Sequence, residues 1–322
     1  MEKSSLSSPG ALRQVRTVLG EISYETLGIT DAHNHLWIEP IPGAAPGALV
    51  LNQYREIQEE IKLYRAAGGE SLLDCQPGGC GRNANKLAQL SRATGVNIIA
   101  CTGFHRWKYY SPDHWLFTTN PERASEYFLR ELTSALQETK DQPEPIQAGF
   151  IKIALESGWS DSPQAALEGA AEAARQIGSL VQIHTEKGEL AEKAVIYFED
   201  HGVAPTQLVL CHIDKRPDFG LHGELAKFGA LLEYDTFYRP KYEPESKLWT
   251  LINKMVDGGL SDHIALATDM AEAGMYATIG QGPGLASLPT EIKSKLIKMG
   301  ISETSIHQML GGNIARRLAG LA

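Results

Sequence analysis

Short apolar runs rich in β-branched residues recur along the chain, and most are followed by an amphipathic or alanine-rich stretch. This alternation predicts strands at 29–35, 71–76, 96–103, 148–155, 180–185, 208–213, 229–235 and 264–269, with helices between them. One predicted helix carries Tyr54, Ile57, Ile61 and Tyr64 on a single face, and another carries Leu167, Ala170, Ala171, Ala174 and Ile177. Asn120 precedes Pro121 and Ser162 precedes Pro163, so helices are expected to start at both places, each with a capping side chain before a proline suited to the first turn.

Eight strands with intervening helices, and neither a Ser/Gly-rich linker nor an internal repeat, predict one closed (β/α)8 TIM barrel. Residues 1–28 are expected to form an N-terminal extension to this single domain, and an open, doubly wound sheet is the alternative. The length of 322 residues suits one such barrel, and a hydrophobic share of 43% is enough for a large core. No apolar run approaches the roughly 18 residues that span a bilayer, so no membrane association is expected. The first ten residues lack the basic start and apolar stretch of a secretory signal, which favours the cytoplasm. A net charge of −9 without a Lys/Arg run disfavours nucleic acid as a partner. Cys75, Cys80, Cys101 and Cys211 are too scattered for a disulfide framework and read as free thiols.

Strands buried on both faces should be almost wholly apolar, because an ionisable group there costs free energy unless it is compensated. The predicted strands break that rule near their ends, with His33 and His35 in "DAHNHLW", Lys152 in "AGFIKIALESG", then His184, His212 and Asp269. Residues i and i+2 of a strand share a side, so His33 and His35 can hold one ion while Asn34 faces away. Alone, that pair could be an accident of composition, and a single buried histidine is more often a hydrogen-bonded core residue. In a barrel, however, these ends meet at one mouth, where a shared metal centre compensates all six residues together. Lys152 is the odd member. Either it snorkels to solvent, or its amine is carboxylated by CO2 to an anion that can bridge two metals.

The stretches "TVLGEISYETLGITDAHNHL", "CTGFH", "GFIKIALESG", "VQIHTEKG", "VLCHIDKRPD", "IALATDM" and "NIARRL" resemble, in order and spacing, the phosphotriesterase family of the amidohydrolase superfamily. The resemblance implies two divalent ions, zinc foremost, with Mn, Co and Fe also compatible with such ligands. His33, His35 and Asp269 would hold the more buried ion, His184 and His212 the other, and carboxylated Lys152 would bridge them. A bridging hydroxide would attack a carbonyl or phosphoryl centre, with Asp269 as proton acceptor. The family also implies a homodimer. A small or sugar-derived lactone is the expected substrate. A phosphotriester or N-acyl amide is the alternative, and a non-catalytic metal-binding barrel the last resort; a mononuclear deaminase would lack the bridging lysine.

Substrate choice belongs to the loops after the strands. In "YDTFYRPKYEPES", the resemblance makes Arg239, Lys241 and Tyr242 anion or sugar contacts, where composition alone would allow a solvated basic loop. After Asp269 the chain lacks the arginine of related phospholactonases, and Glu272 stands nearby. A carboxylate there repels phosphate and suits sugar hydroxyls or an amine. The aromatic stretch "FHRWKYYSPDHW", which includes His105, is expected to be either a pocket wall or a lid packed on itself. Gly280, Gly282 and Gly284 are expected only to let the eighth loop turn.

Overall fold

The computed structural model describes residues 13–321. Two short strands, β1 (Gln14–Thr17) and β2 (Gly20–Ser23), pair as an antiparallel hairpin. Eight more follow: β3 (Thr30–Asn34), β4 (Ser71–Asp74), β5 (Asn97–Gly103), β6 (Phe150–Ala154), β7 (Val181–His184), β8 (Leu208–Cys211), β9 (Leu231–Tyr234) and β10 (Ile264–Leu266). They form one sheet in sequential order, with each consecutive pair parallel, and each lies inside its predicted run.

The sheet closes on itself. Asn34 bridges to Met270, the Asp269 N–H donates to the His33 carbonyl at 3.0 Å, and the His35 N–H donates to the Met270 carbonyl at 3.3 Å. The architecture is therefore the predicted (β/α)8 barrel and not the open sheet. The closure seam itself joins the backbones of His33, His35 and Asp269.

Helices α1 (Tyr54–Ala66), α2 (Ala84–Thr94), α3 (Pro121–Thr133), α4 (Gln164–Ile177), α5 (Ala191–Asp200), α6 (Phe219–Phe228) and α7 (Leu248–Asp257) surround the strands. Ile57, Ile61 and Tyr64 of α1 are buried as predicted, with Tyr54 half-buried at the start. The Asn120 side chain caps α3, accepting from the Arg123 N–H at 2.9 Å. A helix also begins at the second predicted place, α4 starting at Gln164, but its cap is corrected, because Ser162 Oγ turns back to accept from the Glu156 N–H at 2.9 Å. Ile177 also departs from its expected face and is 46% exposed, since the next residue, Gly178, ends the helix in the left-handed conformation.

Inside the barrel the period of two along the strands sorts residues by height. Phe150, Leu180, Leu231 and Ala265 join one buried apolar cluster low in the barrel, while Lys152, Gln182, Glu233 and Asp269 continue the same inner faces toward the mouth. Val15 of the hairpin, and Ile314 and Ala315 of the terminal helix Asn313–Leu318, pack into the same cluster. So the part of the expected extension that is described, the hairpin above all, forms the barrel's floor; residues 1–12 lie outside the described residues. Cys75, Cys80, Cys101 and Cys211 are free and buried, as expected. Among the described residues, no helix is long and apolar enough to cross a membrane.

Candidate metal centre

Four histidines reach the barrel mouth from the ends of three strands, His33 and His35 from β3, His184 from β7 and His212 just after β8, and each has one ring nitrogen already engaged. His33 Nδ1 lies 2.5 Å from Glu233 Oε1 and His35 Nδ1 lies 2.7 Å from Gln76 Oε1. Their Nε2 atoms are each 3.8 Å from Asp269 Oδ1. His184 Nε2 lies 2.8 Å from Glu186 Oε1 and His212 Nδ1 lies 2.6 Å from Asp235 Oδ2. The remaining nitrogens of this pair, His184 Nδ1 and His212 Nε2, face each other at 2.9 Å. Such outer partners fix ring orientation and tautomer and leave the inward nitrogen free to bind an ion.

The protonation states agree. Burial, reinforced by His33, lowers the pKa of His35 to about 3, and burial outweighs Glu186 to lower that of His184 to about 4. Burial likewise pushes His212 well below the usual imidazole range. These rings are neutral near pH 7 and offer lone pairs. Burial raises the Asp269 pKa, but His33 and Arg239 outweigh it and hold the carboxyl well below its ordinary value. Arg239 Nη2 donates to Asp269 Oδ2 at 2.7 Å and to the Asp269 carbonyl at 2.8 Å.

Lys152 does not snorkel. Its side chain is fully buried, with Nζ 3.3 Å from both His33 Nε2 and Cys211 Sγ. Among the described residues, no carboxylate lies within ion-pair distance of that Nζ. Carboxylation would convert this buried amine to an anion beside the inward histidine nitrogens. The donor set therefore fits the two-ion centre that the resemblance implies: His33, His35 and Asp269 present converging atoms, and His184 and His212 form a second pair. A further cluster, His33, His212, Glu233 and Asp235, is drawn together largely by the carboxylates that orient the two rings. Backbone strain marks the same place: His212 (φ +61°) and Asp269 (φ +46°) adopt the left-handed conformation, which few non-glycine residues take.

A cavity of about 150 Å³ opens over this cluster and brings together all the expected substrate contacts, His105, Arg239, Lys241, Tyr242 and Glu272. A larger groove of about 730 Å³ lies between the hairpin and residues 142–147, but no histidine lines it. Arg239 is less a substrate contact than expected, since Nη2 is committed to Asp269 while its buried Nε lacks a partner among the described residues. Lys241 and Tyr242 meet a residue that the sequence reading overlooked, Lys215. The two ammonium groups lie 5.0 Å and 5.7 Å from the Tyr242 ring centre. Both alternatives for the third loop are realised in part. His105 and Tyr109 line the cavity, whereas Trp107, Tyr110, His114 and Phe117 pack on one another. Gly280 and Gly282 do serve the eighth loop's turn, because a Cβ on either would lie 2.3 Å from backbone at Gly274 or Met275.

The residues missed from the sequence are the orienting partners Gln76, Glu186, Glu233 and Asp235, along with Lys215 and Arg106. Arg106 donates from Nε to Glu156 Oε2 at 2.9 Å and pairs through Nη1 with Glu186 Oε1 at 2.7 Å. Glu233 and Asp235 carried a legible signal, two acids at i and i+2 of a buried strand, the same anomaly that singled out the histidines.

Among known proteins, the chain is 30% identical to a phospho-furanose lactonase of Mycoplasmopsis synoviae (strain 53), covering 94% of this chain and 91% of that one. It is 27% identical to an N-acetyltaurine hydrolase of Bos taurus, covering 92% and 95%. A lactonase from Listeria monocytogenes shares the fold with a TM-score of 0.86 at 23% identity, over 95% of this chain and 98% of that one. Residues 13–318, from the barrel's floor hairpin to its terminal helix, match the phosphotriesterase family, and with the site geometry above this establishes that the chain belongs to that family.

Proposed function

We propose that the protein is a binuclear metal-dependent hydrolase of a small lactone bearing an anionic substituent. The observation that carries this reading is the convergence of four histidines, each anchored through its outer nitrogen, on Asp269 and a buried Lys152 that has no carboxylate partner among the described residues. Two divalent ions held by His33, His35, His184, His212, Asp269 and carboxylated Lys152 would supply Lewis acidity, polarising a carbonyl and making water nucleophilic near neutral pH. Asp269, kept ionised by Arg239, takes the proton of the attacking water and hands it to the leaving alkoxide. Glu233, Gln76, Glu186 and Asp235 hold the rings still, so little reorganisation accompanies the reaction.

Lys215 and Lys241, both near the Tyr242 ring, outnumber Glu272 in the pocket and favour a phosphate, sulfonate or carboxylate on the substrate. Glu272 is then left to accept from hydroxyls. This revises the expectation drawn from Glu272 alone, which took no account of Lys215. The similarity to a phospho-furanose lactonase supports a lactone; the similarity to an N-acetyltaurine hydrolase supports an amide as the second reading, since the same attack on a carbonyl serves both.

The test combines metal analysis with a pH-indicator screen of neutral and anionic lactones, N-acyl amides and phosphotriesters. Two ions per chain and preferential cleavage of anionic lactones support the proposal. Preference for amides would install the second reading, and cleavage of none of these classes by metal-loaded protein would sink both.

A further inference from the structure

His105 follows β5, and its ring is fixed from several sides. Its Nδ1 accepts a hydrogen bond from the Arg106 backbone N–H at 2.7 Å. The His105 backbone N–H donates to Tyr110 Oη at 2.9 Å, and the Tyr109 ring stands edge-on to the imidazole with centroids 4.6 Å apart. A ring nitrogen that accepts carries no proton, so neutral His105 must bear its proton on Nε2. The tautomer is set by a backbone group, and Arg106 is itself pinned through its side chain to Glu156 and Glu186.

The ring lies 5.4 Å from that of His184 and 5.8 Å from that of His35, between one member of each histidine pair. Of the other N–H donors around the cavity, several are charged or spent, and the Tyr109 and Tyr242 hydroxyls rotate about their ring bonds. Arg239 Nη2 serves Asp269, Gln76 Nε2 serves the Cys80 carbonyl, and Lys215 and Lys241 are cations beside Tyr242. Among the described residues, nothing accepts from His105 Nε2. Among the described residues, His105 thus offers the cavity a buried ring N–H of fixed orientation between the two histidine pairs.

We propose that His105 is a catalytic residue that donates its Nε2–H to the substrate oxygen on which negative charge grows as the carbonyl is attacked. The proposal rests on the hydrolase reading above. A preorganised donor in a desolvated site binds the charged transition state more strongly than the neutral ester, so its contribution belongs to kcat and not to KM. His105 gives up no proton in the step; it remains neutral before and after.

The test has two arms. In the zinc-loaded protein with 15N-labelled histidine, NMR reads the tautomer of His105 without any turnover, and a proton on Nδ1 would overturn the proposal. Wild type, His105→Gln and His105→Phe are then compared on the best substrate found. Phe fills the volume without a donor, and Gln restores an N–H near the Nε2 position. We expect kcat to fall about 100-fold in His105→Phe and to recover to within about tenfold of wild type in His105→Gln. KM, metal content and both limbs of the pH-rate profile should stay in place. Equal turnover in His105→Phe, a rise in KM alone, or loss of one pH limb, which would mark a titrating acid or base, each overturns the assignment. Absence of turnover in the wild type would remove the hydrolase reading, and the donor role with it, whatever the tautomer.

Discussion

Arg239 grips Asp269 at two points, the carboxylate through a 2.7 Å hydrogen bond and the backbone carbonyl through one of 2.8 Å, both from Nη2. The first contact helps keep the proposed proton acceptor ionised; the second restrains a residue whose backbone is left-handed. Removing the guanidinium in Arg239→Gln should raise the Asp269 pKa. A base is lost as pH falls through its pKa, so the acid limb of kcat/KM should move to higher pH. We expect activity at neutral pH to fall about tenfold or more, read from pH-rate profiles of the two proteins. An unmoved acid limb would break the link between Arg239 and the acceptor.

Glu233 orients His33 through a 2.5 Å contact and has no exposure to solvent. Glu233→Gln keeps the shape and removes the charge that favours a proton on His33 Nδ1. One of the two ions should bind about 10- to 100-fold more weakly, as measured by chelator competition. Affinity equal to wild type at both sites would show that Glu233 serves packing alone.

Glu60, buried in α1, holds the eighth loop from beneath. It accepts from the Leu285 N–H at 2.8 Å, the Thr278 N–H at 2.9 Å and Thr278 Oγ1 at 3.1 Å. Glu60→Ala would strand two backbone donors and should cost about 2–4 kcal/mol of stability in denaturant titrations. Because Glu272 is on the same loop, KM for the best substrate should rise as well. Loss of stability without any change in KM would limit Glu60 to a structural role.

Asp74, bonded to the backbone just after His35, supplies a pH-dependent contribution to stability. Its Oδ1 accepts from the Leu36 N–H at 2.7 Å, its buried Oδ2 has no partner among the described residues, and burial raises its pKa from 3.8 to about 7. The folded state therefore holds this proton more tightly than the unfolded chain. Stability should fall as pH rises from about 4 to about 7 and level off above, by on the order of 1–3 kcal/mol. Asp74→Asn keeps the acceptor and removes the titration, so the difference in stability between pH 5 and pH 8 should shrink relative to wild type. An unchanged difference would place the proton elsewhere.

Much of the barrel was legible because a parallel strand is a local object: a short apolar run is sufficient to reveal it. The floor hairpin escaped notice because "QVRTVLGEIS" is only four residues of strand on each side of a turn, with Val15 its most deeply buried side chain. The six proposed ligands stood out because each is an ionisable residue at a strand end, which burial makes expensive. Their partners did not all share that mark. Glu186, Arg106 and Lys215 lie in loops where charge is unremarkable, and only the fold brings Arg106 and Glu186 together across 80 positions of sequence. Ser162 shows the opposite case, a local capping signal overruled by a nearby backbone N–H that needed an acceptor.

The left-handed backbone at His212 and Asp269 narrows the alphabet available at those two positions. Asn and Gly enter that conformation readily, whereas β-branched and bulky residues do so only under strain. Drift at the centre is thereby channelled toward replacements that keep the main chain in place and empty or neutralise the ligand. The flanking loops are under no such constraint. A lineage built on this barrel can exchange substrates by altering the neighbourhood of Lys215, Lys241 and Glu272, while the strand ends that present the ligands admit few intermediate steps.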